Sequence, residues 1–197
     1  MTLAAAHVVE SLGLVVLAAL VAGWLLASSD RLRWSCGVLV LVFAPLVLAG
    51  SVVGDAQSSL PQLSLPLIAG AGVLGLAVLG ATATLFVRWP RAVVPAALGT
   101  LAFRVPLEIG GDSVKLLLPL YLTLGAAIIA RAWSIWRGRS TDSPRPPKLL
   151  DVAIAVYLVL YALQSIYAAD VSVATQNFCF FYAPFALLYG IVAGQKW

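Results

Sequence analysis

The chain has 197 residues, of which 62% are hydrophobic and 10% are charged, with a formal net charge of +4. This charge content and a mean hydropathy of +1.02 exclude a soluble globular enzyme, because soluble domains carry about a quarter charged residues. A weak positive charge spread over apolar segments also excludes nucleic-acid binding. Two cysteines and one histidine are too few for a disulfide framework or an ordinary metal site. The composition indicates a polytopic membrane protein.

A helix needs about 20 apolar residues to cross a bilayer core. Seven uncharged runs approach or reach this length, and they predict an all-α transmembrane helical bundle of seven spans that forms a single domain over residues 1–197. The runs lie at 11–27, 34–53, 65–87, 92–103, 116–130, 152–168 and 178–193. The fourth run is short, so it either extends beyond Arg104, tilts little, or enters the membrane without a full crossing.

The basic residues predict the orientation of this bundle. Ten of the 12 fall in loops that the seven spans place on one side, whereas Arg104 and Lys115 fall on the other side. Short cytoplasmic loops collect Lys and Arg, so we expect an outer amino terminus and a cytoplasmic carboxyl terminus. The first run has His7 and Glu10 ahead of it instead of basic residues, which favours a permanent span over a cleaved signal peptide.

Three further features have structural interpretations. Small residues four apart in the third run predict close helix packing in lipid; these pairs are Ala71 with Gly75, Ala77 with Ala81, and Gly80 with Thr84. Residues 140–147 have the Ser and Pro content of an irregular cytoplasmic connector. Cys36 and Cys179 fall near opposite ends of their spans, too far apart for a disulfide, and are expected to be packing residues.

The densest polar segment expected on the outer face is FRVPLEIGGDSVK, residues 103–115. Pro106 and the Gly110–Gly111 pair oppose a continuous helix, so the segment predicts a bent, partly buried hairpin. Its charged residues are candidate substrate-binding residues, namely Arg104, Glu108, Asp112 and Lys115. Either the two cations meet an anionic group such as a phosphate, or the four charges neutralise one another at the headgroup boundary.

The last two runs carry aromatic stripes. Tyr157 and Tyr161, followed by Gln164 or Ser165, form a polar-tipped stripe at helical spacing. The seventh run has a related stripe, made of Phe178, Phe181, Tyr182, Phe185 and Tyr189. These aromatics are either ordinary interfacial side chains or a wall for sugar rings or a lipid chain. The predicted spans have no ionisable residue near their centres, which counts against proton-coupled transport and ion conduction.

Two ordered blocks resemble the O-antigen ligase and polymerase superfamily. The stretch FRVPLEIGGDSVKLLLPLYLTLGAAI (103–128) is similar to the FRIP...GG...LLLPLYL segment of that family. The stretch LDVAIAVYLVLYALQSIYAADVSVATQNFCFFYAPFALLYGIV (150–192) is similar to the part that follows it there. The resemblance covers the second half of the chain, and the family's amino-terminal helical half is what it matches.

This resemblance implies a function in the cytoplasmic (inner) membrane. Family members transfer an undecaprenyl-diphosphate-linked saccharide to a growing polymer or to an acceptor, without a nucleotide sugar, a required metal or another cofactor. Their essential Arg and His residues belong to a large outer loop that has no counterpart in this sequence, so no catalytic residue is carried over. We expect membrane lipid and a polyprenyl-diphosphate-linked saccharide as partners, with a second chain supplying the missing half. The alternatives are a non-enzymatic scaffold or facilitator, or an inactive truncated fragment.

Overall fold

The computed structural model describes residues 3–55, 65–101, 105–109, 112–116, 118–138, 146–168 and 170–194. Its helices, in chain order, are α1 (Leu3–Leu26), α2 (Asp30–Asp55), α3 (Leu65–Arg88), α4 (Val93–Leu101), α5 (Leu118–Trp136), α6 (Leu149–Ser165), α7 (Val171–Asn177) and α8 (Ala183–Ala193). A 3₁₀ turn at Pro90–Ala92 precedes α4, and a π-helical turn at Phe178–Tyr182 joins α7 to α8. Between α4 and α5, strands β1 (Val105–Ile109) and β2 (Asp112–Leu116) form an antiparallel hairpin. The predicted helical architecture is confirmed, with two short strands added to it.

Three helical segments among the described residues are long and apolar enough to cross a membrane: Val8–Leu26, Asp30–Leu48 and Val171–Ala193. A fourth crossing results if Gly72–Arg88 and Pro90–Leu101 are counted as one span, although the two are bent by 117° relative to each other. Leu149–Ser165 is apolar but shorter. The chain therefore has the helices of a membrane protein, whereas the predicted count of seven spans is not supported.

Local chemistry explains where the predicted boundaries fail. The run at 92–103 does not form an independent span, because Pro90 lacks an N–H and holds Trp89 in an extended conformation (φ −127°, ψ 73°) that ends α3. The last span begins at Val171 instead of 178 because the Asp170 carboxylate accepts a hydrogen bond from the Val173 N–H at 3.1 Å and caps the helix.

Helix α1 is the centre of the bundle, and α2, α6, α7 and α8 pack against it. Trp24, near its end, is fully buried and lies edge-on against Trp34 with ring centroids 4.6 Å apart. A Cβ added at Gly37 would lie 2.6 Å from Cζ3 of Trp24, and one added at Gly190 would overlap its Nε1. The indole therefore fits because the two facing helices present glycine.

A set of charges, of which Asp30 and Arg33 are buried and Arg131 is exposed, joins three helix ends near Trp24. Asp30 pairs with Arg33 at 3.7 Å and with Arg131 at 3.9 Å. Arg33 is itself buried and donates a 2.7 Å hydrogen bond to the Ala27 carbonyl at the end of α1. We call Asp30, Arg33 and Arg131 the ion cluster. Because it links the end of α1, the start of α2 and the end of α5, it fixes these three ends on one side of the bundle.

Two further contacts place α8 and α6 relative to the ion cluster. The contact of Trp24 with Gly190 brings the end of α8 to the same side. Ile166, just beyond α6, shares an open groove with residues at the start of α1, including Val8 and Ser11, so α6 begins on the side of the ion cluster. The described basic residues of α2, α5 and the start of α6 therefore gather at one end of the bundle.

The packing predictions have mixed outcomes. Cys36 and Cys179 are buried free thiols, as expected of packing residues. The close approach predicted for the small residues of α3 is wrong within the described part of the chain, because a Cβ at Gly75 or Gly80 would meet no atom within 4 Å. The close contact between α3 and α5 is instead made at Gly125 of α5, where an added Cβ would lie 3.2 Å from the side chain of Leu79 on α3. The side chain of His7 and residues 140–145 of the connector lie outside the described residues.

Candidate functional site

Within the polar segment predicted as a hairpin, residues 105–109 and 112–116 form paired antiparallel strands, and their register assigns each charged residue to one face. β1 and β2 pair Pro106 with Lys115, Glu108 with Ser113, and Ile109 with Asp112. Directly paired residues belong to the same face, and alternate residues of a strand belong to opposite faces. Glu108 and Lys115 therefore share one face of the hairpin, and Asp112 belongs to the other. Arg104 lies outside the described residues.

This register gives the hairpin two chemically different faces. The face that contains Asp112 otherwise holds apolar residues at its register positions: Val105, Leu107, Ile109, Val114 and Leu116. The other face carries Glu108, Ser113 and Lys115. The register positions therefore divide the candidate charges of β1 and β2 between the two faces of the strand pair. The spacing expected in a helix does not predict this division, because successive residues of a strand alternate between its two faces.

Four aromatic residues of α6 and the π-helical turn form the main candidate site. Tyr161 lies 4.6 Å from Tyr182 and 6.2 Å from Phe178 between ring centroids. Tyr157 lies 5.8 Å from Tyr182 in an edge-on arrangement. Tyr157, Tyr161, Phe178 and Tyr182 together are called the aromatic ledge. The predicted pair Tyr157 and Tyr161 therefore does come together on one surface, joined by two rings from the last span.

The aromatic ledge has a buried base and an open edge. Phe178 is completely buried, whereas Tyr161 and Tyr182 are half-buried and Tyr157 is 53% exposed. The ledge thus carries three phenol rings, of which only Tyr157 is exposed; the Tyr182 hydroxyl interacts with that of Tyr157, and the Tyr161 hydroxyl interacts with Asn177. Such a surface suits a ligand with both apolar faces and hydroxyl groups.

The π-helical turn determines which aromatics of the last span reach the ledge. The Ala183 N–H donates to the Phe178 carbonyl five residues earlier, which widens the helix by one residue and changes the direction of the following side chains. Phe181 and Phe185 consequently remain exposed and away from the ledge contacts. The predicted stripe of five aromatics assumed a regular α-helix, and the extra residue in this turn divides it.

Pro184 and Tyr121 explain how this turn is held. Pro184 has no N–H with which to reach the Phe180 carbonyl at the usual four-residue spacing. The Tyr121 hydroxyl on α5 donates to that carbonyl instead, at 2.7 Å, and its ring stacks on Phe180 with centroids 6.5 Å apart. Tyr121 is not among the residues predicted from the sequence, although a proline four residues after Phe180 is a signal that this carbonyl needs another donor.

Of the two residues predicted as the polar end of the Tyr157–Tyr161 stripe, Gln164 is available at the surface and Ser165 is not. Gln164 is exposed, whereas Ser165 is buried and its hydroxyl donates to the Ala162 carbonyl at 2.7 Å. The Ser165 hydroxyl is therefore already hydrogen-bonded to a backbone carbonyl within α6. Within the described residues, no three His, Cys, Asp or Glu side chains come together as candidate metal ligands.

No family model, curated protein or solved structure matches this chain. The relationship to the O-antigen ligase and polymerase superfamily therefore stays a prediction from the two sequence blocks.

Proposed function

We propose that this chain is a multi-pass protein of the cytoplasmic membrane that binds an undecaprenyl-diphosphate-linked saccharide during cell-surface polysaccharide assembly. The observation that carries the proposal is the aromatic ledge, where Tyr161 and Tyr182 meet at 4.6 Å and Tyr157 stays half exposed. The ledge is the proposed binding surface for the sugar nearest the diphosphate.

Physical chemistry supports an amphiphilic ligand at the ledge. The phenol hydroxyls of the ledge interact with one another and with Asn177, and a hydroxyl that pairs in this way can still take a further hydrogen-bond partner. A sugar ring supplies such partners through its hydroxyl groups, while its C–H face packs on an aromatic ring. A purely apolar ligand would be served as well by leucine or phenylalanine, so the three tyrosines favour a saccharide.

The hairpin is the proposed location for the diphosphate. β2 ends at Leu116, α5 begins at Leu118, and Tyr121 on its first turn bonds the π-helical turn of the ledge. Chain continuity therefore keeps the end of the hairpin close to the residue that fixes the ledge. Lys115 in β2 and Arg104 before β1 are the proposed cations for the diphosphate, since arginine and lysine bind such anions through charge-assisted hydrogen bonds.

Orientation follows from the gathering of basic residues at the end that contains the ion cluster. We infer that this end is cytoplasmic, because cytoplasmic loops are enriched in Lys and Arg. The start of α1 and the end of α6 then face outwards. In a glycosyl transfer, cations at the diphosphate would stabilise the leaving group as negative charge develops. We propose that the role of the chain in this reaction is to bind the saccharide donor, and we assign no catalytic residue.

Binding of the lipid-linked saccharide to the full chain in nanodiscs tests the proposal. Tyr157→Ala is expected to weaken binding about fivefold to tenfold, because it removes the exposed ring that contacts the sugar. Tyr167→Ala is the matched control, since Tyr167 lies just beyond α6, is 88% exposed and is not part of the ledge. Undecaprenyl phosphate without a sugar serves as the second ligand.

The proposal predicts that Tyr157→Ala changes binding of the saccharide ligand and leaves binding of the sugar-free ligand unchanged. Equal losses for both ligands would assign the ledge to the prenyl chain and contradict saccharide recognition. Equal affinities of the Tyr157→Ala and Tyr167→Ala variants would remove the ledge from the binding site.

A further inference from the structure

The α3–α4 bend has an open cavity that the proposed function does not use. It measures about 380 Å³ and is lined by Ala81, Thr84, Leu85 and Arg88. Thr84, Leu85 and Arg88 follow Ala81 by three, four and seven residues, so the four residues lie on one face of α3. The last of them, Arg88, is a cation. The Thr84 hydroxyl already donates to the Ala81 carbonyl at 2.7 Å. Apart from Thr84, the cavity wall above Arg88 is formed by the apolar residues Ala81 and Leu85.

Two exposed cations lie at the end of this face. Arg88 closes α3, and Arg91 follows in the 3₁₀ turn. Residues 65–101 contain no Asp or Glu, and neither arginine forms an ion pair with the described part of the chain. By contrast, Arg33 and Arg131 share Asp30, and the Arg137 guanidinium lies 4.2 Å above the Trp133 ring.

The bend also carries an interfacial anchor. Trp89 separates the two arginines and is 65% exposed. Tryptophan is enriched at the level of lipid headgroups, so the bend is expected to lie where the acyl chains meet the headgroups. At that depth an apolar cavity that opens beside two cations complements a molecule with an acyl chain and a negative phosphate.

We propose that the α3–α4 bend binds an anionic phospholipid, with its phosphate at Arg88 and Arg91 and part of an acyl chain in the adjoining cavity. Charge complementarity selects this occupant, because a zwitterionic lipid of the same chain length would leave the two positive charges without net compensation. The site lies on different helices from the aromatic ledge, and it does not depend on the proposed saccharide ligand.

Native mass spectrometry of the full chain in neutral detergent tests this site. Phosphatidylglycerol is the probe, phosphatidylcholine with identical chains is the zwitterionic comparison, and glycerol 3-phosphate represents the free headgroup. The double variant Arg88→Gln/Arg91→Gln is expected to weaken phosphatidylglycerol binding about tenfold. Arg137→Gln is the matched control and is expected to stay within twofold of the parent protein. Circular dichroism checks that each variant remains helical.

A second variant examines the cavity without changing the charge. Ala81→Phe places a large ring in the cavity and is expected to weaken phosphatidylglycerol binding at least threefold while both arginines remain. Unchanged binding in both the arginine and the Ala81 variants would overturn the proposal. Equal binding of phosphatidylcholine, equal loss in the Arg137→Gln control, or equally tight binding of glycerol 3-phosphate would overturn it too, since each contradicts a specific lipid site.

Discussion

The two ends of the bundle are built on different principles. Around Trp24, the indole is enclosed by Gly37 and Gly190, and the nearby charges of Asp30 and Arg33 are buried together. At the aromatic ledge, the helix departs from α geometry and Tyr157 remains half exposed. The first region uses its polar groups to hold helices together. The second leaves the Tyr157 ring half exposed at the outer edge of a group of paired aromatic side chains, where a ligand can reach it.

Stability and binding therefore depend on different parts of the chain. Substitutions at the closely packed end should lower the free energy of unfolding, whereas substitutions on the outer edge of the ledge should leave it almost unchanged. Tyr121 lies between these cases, because it belongs to the packed core yet determines the geometry of the ledge. Four substitutions, compared by unfolding in detergent followed by circular dichroism, examine this division.

The largest loss is expected for Arg33→Ala. Removing this buried guanidinium takes away one partner of the buried Asp30 carboxylate and the donor to the Ala27 carbonyl. We expect a destabilisation of about 3 kcal/mol. Arg31→Ala is the control, because Arg31 is the exposed neighbour in the same helical turn and should change stability by less than about 0.5 kcal/mol. Similar losses in the two variants would contradict the ion cluster.

The next largest effect is expected for Gly190→Ala. The added methyl group would overlap Nε1 of Trp24, so the indole or α8 must move, at about 2 kcal/mol. Gly80→Ala introduces the same group where nothing lies within 4 Å and should be neutral or slightly stabilising, because alanine has the higher helix propensity. A neutral Gly190→Ala variant would refute the close fit around Trp24.

A smaller loss is expected for Tyr121→Phe. This change keeps the ring that stacks on Phe180 and removes the hydroxyl that donates to its carbonyl. Leaving that carbonyl without its donor should reduce stability by about 1 kcal/mol, and it should also weaken saccharide binding by loosening the ledge. Tyr167→Phe supplies the control for loss of a phenol hydroxyl. Stability and binding that match the parent protein would show that Tyr121 does not hold the π-helical turn.

The smallest change in stability is expected for Tyr157→Ala. Because Tyr157 is 53% exposed and lies at the edge of the ledge, its truncation should change the free energy of unfolding by no more than about 0.5 kcal/mol. Its effect on saccharide binding should nevertheless exceed that of any substitution at the Trp24 end. A destabilisation above about 2 kcal/mol would mean that Tyr157 is a packing residue.

Composition and local spacing were sufficient to predict the helical membrane class and the hairpin. The hairpin followed from Pro106 and Gly110–Gly111, whose backbone preferences act locally. Tyr157 and Tyr161 were predicted to share a face, and the structure joins them through Tyr182. These successes rest on interactions between residues that are close in sequence.

The failures involve contacts between distant segments or small changes of helix geometry. Hydropathy cannot distinguish one continuous membrane span from two apolar helices joined by a bend, so the break at Trp89 is not predicted from the sequence. Hydropathy also carries no information on the π-helical turn at Phe178–Tyr182. Asp30 and Arg33 lie between the first two predicted spans, and their burial is not predictable from the sequence because it depends on Arg131 and on the end of α1. Tyr121 was missed since its partner is 59 residues away.

Site-specific photo-crosslinking tests the central claim about the ledge most directly. A photoreactive phenylalanine analogue is placed at position 157 in one variant and at position 167 in another, and each is irradiated in nanodiscs with a lipid-linked saccharide. The account predicts a saccharide adduct at position 157 that excess unlabelled donor suppresses, and little adduct at position 167. Equal adducts at the two positions, or none at position 157, would contradict it.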